Sequence, residues 1–106
     1  TRLVETLEQI MSLCEFPKIR IDDFKNILGR LAVRALRQNN EQPVEIVIHS
    51  YAGFVEVKIR NDESGINLLD IPDEEGGWEA IERSISDWSF HTHGNRTTLC
   101  LRMFET

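Results

Sequence analysis

After two helical segments the hydrophobic period of this chain switches from helical to extended, and that switch constrains the fold more than any other feature. From Leu3 to Cys14, apolar residues stand at Leu3, Val4, Leu7, Ile10, Met11 and Cys14, the three-and-four spacing of an amphipathic helix. Phe16-Pro17 ends that segment, because the residue before proline avoids the helical region. A second helix is expected from a cap at Asp22 or Asp23 to about Gln38, with Phe24, Ile27, Leu28, Leu31 and Ala35 on its apolar face. Asn39, Asn40 and Pro43 stop it. The period then becomes two. Val44, Ile46 and Ile48 alternate with Glu45, Val47 and His49. After Tyr51-Ala52-Gly53-Phe54, Val55, Val57 and Ile59 alternate with Glu56, Lys58 and Arg60. This is the pattern of an antiparallel hairpin with one buried face.

Residues 61–77 read as a long loop, the kind that in a small domain often carries function. Trp78, Ile81 and Ile85 mark a short third helix. A second hairpin closes the chain. Trp88, Phe90 and Thr92 alternate with Ser89, His91 and His93, Gly94-Asn95 supplies the turn, and Leu99, Leu101 and Met103 share one face of the return strand. The order α-α-β-β-α-β-β predicts an α+β fold. It is a two-layer sandwich with the helices on one face of a mainly antiparallel sheet.

With 106 residues, 41% hydrophobic and 28% charged, residues 1–106 are expected to form one globular domain. No apolar run has the length of a membrane span, and no secretory signal opens the chain. Thr1 rather than Met stands first, as expected of a processed chain or a domain excised from a longer protein. Cys14 and Cys100 fall in apolar periodic segments, which suggests reduced thiols and a cytoplasmic location. The net charge of −6 argues against nucleic acid and anionic membrane as partners. That charge is concentrated. Residues 62–87 hold nine acids and one base, a net of −8, and the rest of the chain sums to +2. A solvated acidic face is the ordinary reading of such a run.

The element order, with Ile21-Asp22-Asp23-Phe24 to Leu36 in register with the second helix, resembles the GHKL (histidine-kinase-like) ATPase domain. The bacterial anti-sigma-factor serine kinase branch fits best. The resemblance spans nearly the whole chain, without the leading strand usual in that family. It implies a magnesium-ATP site, and the positions of that site depart from the pattern. Where the family carries a glutamate and a magnesium-binding asparagine on the second helix, this sequence has Arg30 and Arg34. A guanidinium offers only donors and remains charged, so it neither ligates magnesium nor serves as a general base.

The adenine-binding loop, Asp-x-Gly-x-Gly in the family, corresponds to Asn61-Asp62-Glu63-Ser64-Gly65. Asn61 takes the aspartate position, with Asp62 the alternative, and only Gly65 keeps its glycine. The phosphate lid is reduced to Gly76-Gly77, preceded by Asp70, Asp73, Glu74 and Glu75, whose charge opposes a triphosphate. The resemblance therefore implies a decayed nucleotide site. No catalytic residue and no cofactor are expected, and ATP with magnesium would be required only if the chain were an active serine kinase.

Arg30, Arg34 and Arg37 form a stripe at i, i+4 and i+7. A solvated basic edge is the simple account. The sharper expectation is a lid latch, in which Asp70, Asp73, Glu74 and Glu75 pair with Arg30 and Arg34 in place of ATP and magnesium. A second option is that the arginines bind a phosphate or a partner's acidic patch. His91 and His93 share a strand face and are weak candidates for a metal, with His49 as a third ligand and Cys100 as a fourth if their strands are near. Ordinary sheet-surface histidines are the simpler reading. Trp78 and Trp88 read as packing, and Ser64, Ser84, Ser86 and Thr98 show no base partner.

The expected function is a non-catalytic regulatory module that binds a protein, sigma-factor-like or anti-sigma-antagonist-like, in bacterial signalling and transcription regulation. Homodimerisation is compatible with it. The alternatives are an active ATP-dependent anti-sigma serine kinase and a structural or oligomerisation domain of a larger signalling protein. The last would expose an apolar patch around Val47, Phe54 or Phe104.

Overall fold

The computed structural model describes residues 2–38, 44–61, 77–94 and 96–105, with backbone only for 33–38 and 61. Three helices and four strands follow in the expected order: α1 (Arg2–Leu13), α2 (Lys18–Gln38), β1 (Val44–Tyr51), β2 (Phe54–Asn61), α3 (Gly77–Ser84), β3 (Asp87–His93) and β4 (Arg96–Phe104). The four strands form one antiparallel sheet in the order β1-β2-β4-β3. No helix among the described residues is long and apolar enough to cross a membrane.

Helix α1 ends in a left-handed cap built without glycine. Glu15 takes φ 63°, and the amides of Glu15 and Phe16 donate to the carbonyls of Ser12 and Met11 at 3.1 Å each. This is the Schellman pattern, which also brings Phe16 against Met11. Both are buried. The second helix begins earlier than the sequence predicts, at Lys18 rather than at Asp22 or Asp23. Pro17 starts this helix as well as ending the previous segment. Its ring presets φ, it has no amide to leave unpaired, and its carbonyl accepts from Arg20 at 3.0 Å and Ile21 at 3.2 Å. The extra turn places Ile21 in the core.

The inner face of the sheet carries Val55, Val57, Ile59, Leu99, Leu101 and Met103, all buried. They pack against Leu7 and Met11 of α1, Phe24, Leu28 and Leu31 of α2, and Ile81 of α3 in one cluster. Each fully buried side chain of this size contributes about 1.5–3 kcal/mol of transfer free energy. Trp78 and Trp88 pack edge to face at 4.9 Å between ring centres, and the Trp88 indole donates to Glu82 at 2.8 Å. The tryptophans thus join α3 to β3, as packing residues. Cys14 is half-buried and its Sγ lies 3.2 Å from the Ser50 hydroxyl, while Cys100 is buried; both thiols are free. The β1–β2 turn depends on Gly53 at φ 89°, a conformation that costs a side-chain-bearing residue energy.

Candidate functional site

Two groups of residues stand out: those that the resemblance assigns to a nucleotide site, and those on the sheet face that the described helices leave uncovered.

In the first group, Arg30 lies on α2 and is exposed. Arg34 is one turn further along α2; only its backbone is described. Asn61 is the last residue of β2, paired with Val44 on one side and Thr97 on the other. Gly77 is the first residue of α3, at φ 65°, which explains a glycine there. Asp62, Gly65, Asp70, Asp73, Glu74, Glu75 and Gly76 lie outside the described residues, and so does the proposed latch to Arg30 and Arg34.

One residue beside Asn61 escaped the sequence reading. Thr97 is 4% exposed, and its hydroxyl has no hydrogen-bond partner among the described residues. It continues the inner-face series Leu99, Leu101, Met103. A polar residue at a core position of an otherwise apolar strand is the signal that marks it. The Trp78 indole nitrogen, next to Gly77, is likewise buried without a partner among the described residues.

The metal expectation needs correction in its third ligand. His91 and His93 do share one face of β3, and both are exposed. His49, however, is on β1, the opposite edge of the sheet. Three inter-strand steps of about 4.8 Å separate the two edges, roughly 14 Å, too far for a shared ion. Cys100 does lie on β4 next to β3, two residues from the Thr98 that pairs with His91, but it is 5% exposed and flanked by Lys58 and Ser89. Among the described residues no group of three or more His, Cys, Asp and Glu is placed to hold a metal.

The second group forms the outer face of the sheet, and pairing registers lay it out as rows. Tyr51, Phe54 and Phe104 form one row. Next come His49, Glu56, Arg102 and Asp87, then Val47, Lys58, Cys100 and Ser89, then Glu45, Arg60, Thr98 and His91. The aromatic row is closely packed. Tyr51 stacks on Phe54 at 4.8 Å, Phe104 meets Phe54 edge-on at 5.8 Å, and His49 stacks on Tyr51 at 5.9 Å. Tyr51 is still 44% and Phe104 40% exposed.

In the charged row, Arg102 bridges two carboxylates, with Nε 2.9 Å from Glu56 Oε2 and Nη1 2.8 Å from Asp87 Oδ2. Burial disfavours the charged form of Arg102, but the hydrogen bonds to Glu56 and Asp87 outweigh it and raise its pKa above the ordinary arginine value. Glu56 is only 5% exposed. Its Oε1 has no hydrogen-bond partner among the described residues, with the Lys58 ammonium 3.6 Å away. Sequence alternation puts Glu56 on the polar side; nothing in it foretells the burial between His49 of β1 and Arg102 of β4.

A cleft of about 280 Å³ lies elsewhere, between the first turn of α2, the end of α3 and the end of β4. Arg20, Asp23 and Arg83 line it together with Ile19, Ile85 and Met103; it contains none of the predicted site residues. Compared with known proteins, the chain matches no family model and no curated protein sequence.

Proposed function

We propose that this chain is a non-catalytic regulatory module that works by binding a protein, with a GHKL-like fold whose nucleotide site has decayed. The observation that carries the reading is Arg30, exposed on α2 at the position where the resembled family needs a carboxylate. A fixed positive charge there repels magnesium and abstracts no proton. The α-α-β-β-α-β-β order supports the fold half of the proposal. The partner is of the sigma-factor or anti-sigma-antagonist kind, in a bacterial partner-switching pathway. The test is calorimetric titration with ATP and ADP, with and without magnesium. The expected result is no magnesium-dependent heat; micromolar, magnesium-dependent binding would overturn the reading in favour of an active serine kinase.

A second reading, an oligomerisation domain, is favoured by one specific observation. Phe54 and Phe104, together with Tyr51, form an aromatic strip on the bare face of the sheet, in the place where that reading requires an apolar patch.

A further inference from the structure

The bare face has a symmetry that its sequence does not advertise. A two-fold axis laid in the plane of this face, parallel to the strands and between β2 and β4, exchanges β2 with β4 and β1 with β3. Each row then meets the same row of a second copy, in reverse order. Glu56 of one copy faces Arg102 of the other, and His49 faces Asp87. Glu45 faces His91, and Phe54 faces Phe104. Every carboxylate on the face is opposite a guanidinium or an imidazole, and aromatic meets aromatic. An axis across the strands instead would set the aromatic row against Glu45, Arg60, Thr98 and His91, and the match would be lost.

We propose that this face is the interface of a homodimer, in which two copies pack sheet on sheet around that axis. Aligned packing of sheets, with strands nearly parallel, is a standard arrangement, and a two-fold interface must be self-complementary.

Within each chain Glu56 is already held by Arg102 at 2.9 Å and by Lys58 at 3.6 Å, so the second copy's Arg102 adds a longer-range attraction to this carboxylate and not a direct hydrogen bond. Glu56 is already 5% exposed in the single chain, so association removes almost no further water from it. The usual desolvation penalty of an interfacial ion pair is therefore mostly incurred on folding.

Size sets the strength. Four strands about 4.8 Å apart and about eight residues long at ~3.3 Å each cover roughly 500 Å² per copy. That is below the ~800 Å² per partner of a standard interface. The dimer is accordingly weak and concentration-dependent, with dissociation in the micromolar range or above. The inference does not depend on the nucleotide reading; an ATP-binding chain would present the same face.

The test is sedimentation of the whole chain from low micromolar to millimolar concentration, with variants at exposed positions. The wild type shifts from monomer to dimer with concentration. Phe104→Ser weakens the dimer at least tenfold. Glu45→Lys and His91→Glu each weaken self-association several-fold. Mixed one to one, those two variants recover a dimer, because both Glu45–His91 contacts of the mixed species become attractive while each variant alone repels itself. Unchanged circular dichroism and melting temperature show that each variant is folded. A wild type that stays monomeric to a millimolar would overturn the proposal. So would a dimer indifferent to all three changes, which would use another face, and so would a monomer whose bare face binds a different protein.

Discussion

The two faces of the sheet are made by the same four strands and obey opposite rules. The inner face is apolar from Val55 and Met103 through Leu101 to Leu99, turns polar only at Thr97, and is covered by three helices. The outer face is ordered in rows, one aromatic and the others bearing charge. Packing on the inner face is non-directional, so any residue of suitable volume serves. The outer face holds charges that are satisfied only in specific pairs, and it leaves one carboxylate oxygen, on Glu56, without a hydrogen bond among the described residues. The inner face accounts for stability, and the outer face carries the recognisable chemistry.

That contrast is breakable by mutation. The largest effect is expected on the inner face. Leu101→Ala, at a position with no exposure, should lower unfolding stability by about 2–5 kcal/mol, read as a drop in the urea midpoint at unchanged slope. On the outer face, Arg102→Leu should cost about 1–3 kcal/mol, because the buried Glu56 loses its hydrogen-bonded partner and keeps only Lys58, 3.6 Å away. Changing Glu56 to Leu as well should recover most of that loss, which a double-mutant cycle by urea unfolding would measure. A full Arg102→Leu loss that persists in the double variant would mean that the arginine acts through its packing and not through the ion pair.

Smaller effects come from the layer that covers the inner face. Glu15→Gly should stabilise by about 0.5–1 kcal/mol, since glycine occupies φ 63° without the penalty paid by a side chain; a raised melting temperature checks it. The smallest concerns the Lys25–Glu8 pair, 2.7 Å across α1 and α2. The hydrogen bond to Glu8 raises the Lys25 pKa, against a lesser effect of desolvation. A raised folded-state pKa means that the pair's contribution is complete below the ordinary lysine value and disappears as pH rises through the folded one. Lys25→Gln should therefore differ slightly from wild type at neutral pH and low salt, and not at all in strongly alkaline buffer, as followed by thermal melts.

Much of the fold is legible in the chain. Leu7, Met11, Phe24 and Leu28 announce their helices by spacing alone, and Val55, Val57, Leu99 and Leu101 announce the inner face of their strands. The early start of α2 is less legible, because Pro17 serves equally as a stop and as a first-turn residue. Of the candidate site, the sequence shows an arginine at position 30, whose guanidinium cannot ligate magnesium. It does not show that Thr97 is buried beside Asn61, or that Glu56 is buried on a polar face. It also leaves open whether His49 can join His91 and His93. Each of these depends on which strand lies next to which.

Alternation of side chains, a property of each strand by itself, determined which residues point inward. The strand order β1-β2-β4-β3 belongs to the tertiary structure alone. Hairpin partners are chosen locally by short turns such as Ala52-Gly53, but the pairing of β2 with β4 joins segments far apart in the chain. It is selected by the helices, which can bury Val57 and Leu101 together only when those strands are neighbours. That one non-local pairing sends His49 and His91 to opposite edges. It also brings Glu56 against Arg102 and so assembles the charged row on the bare face.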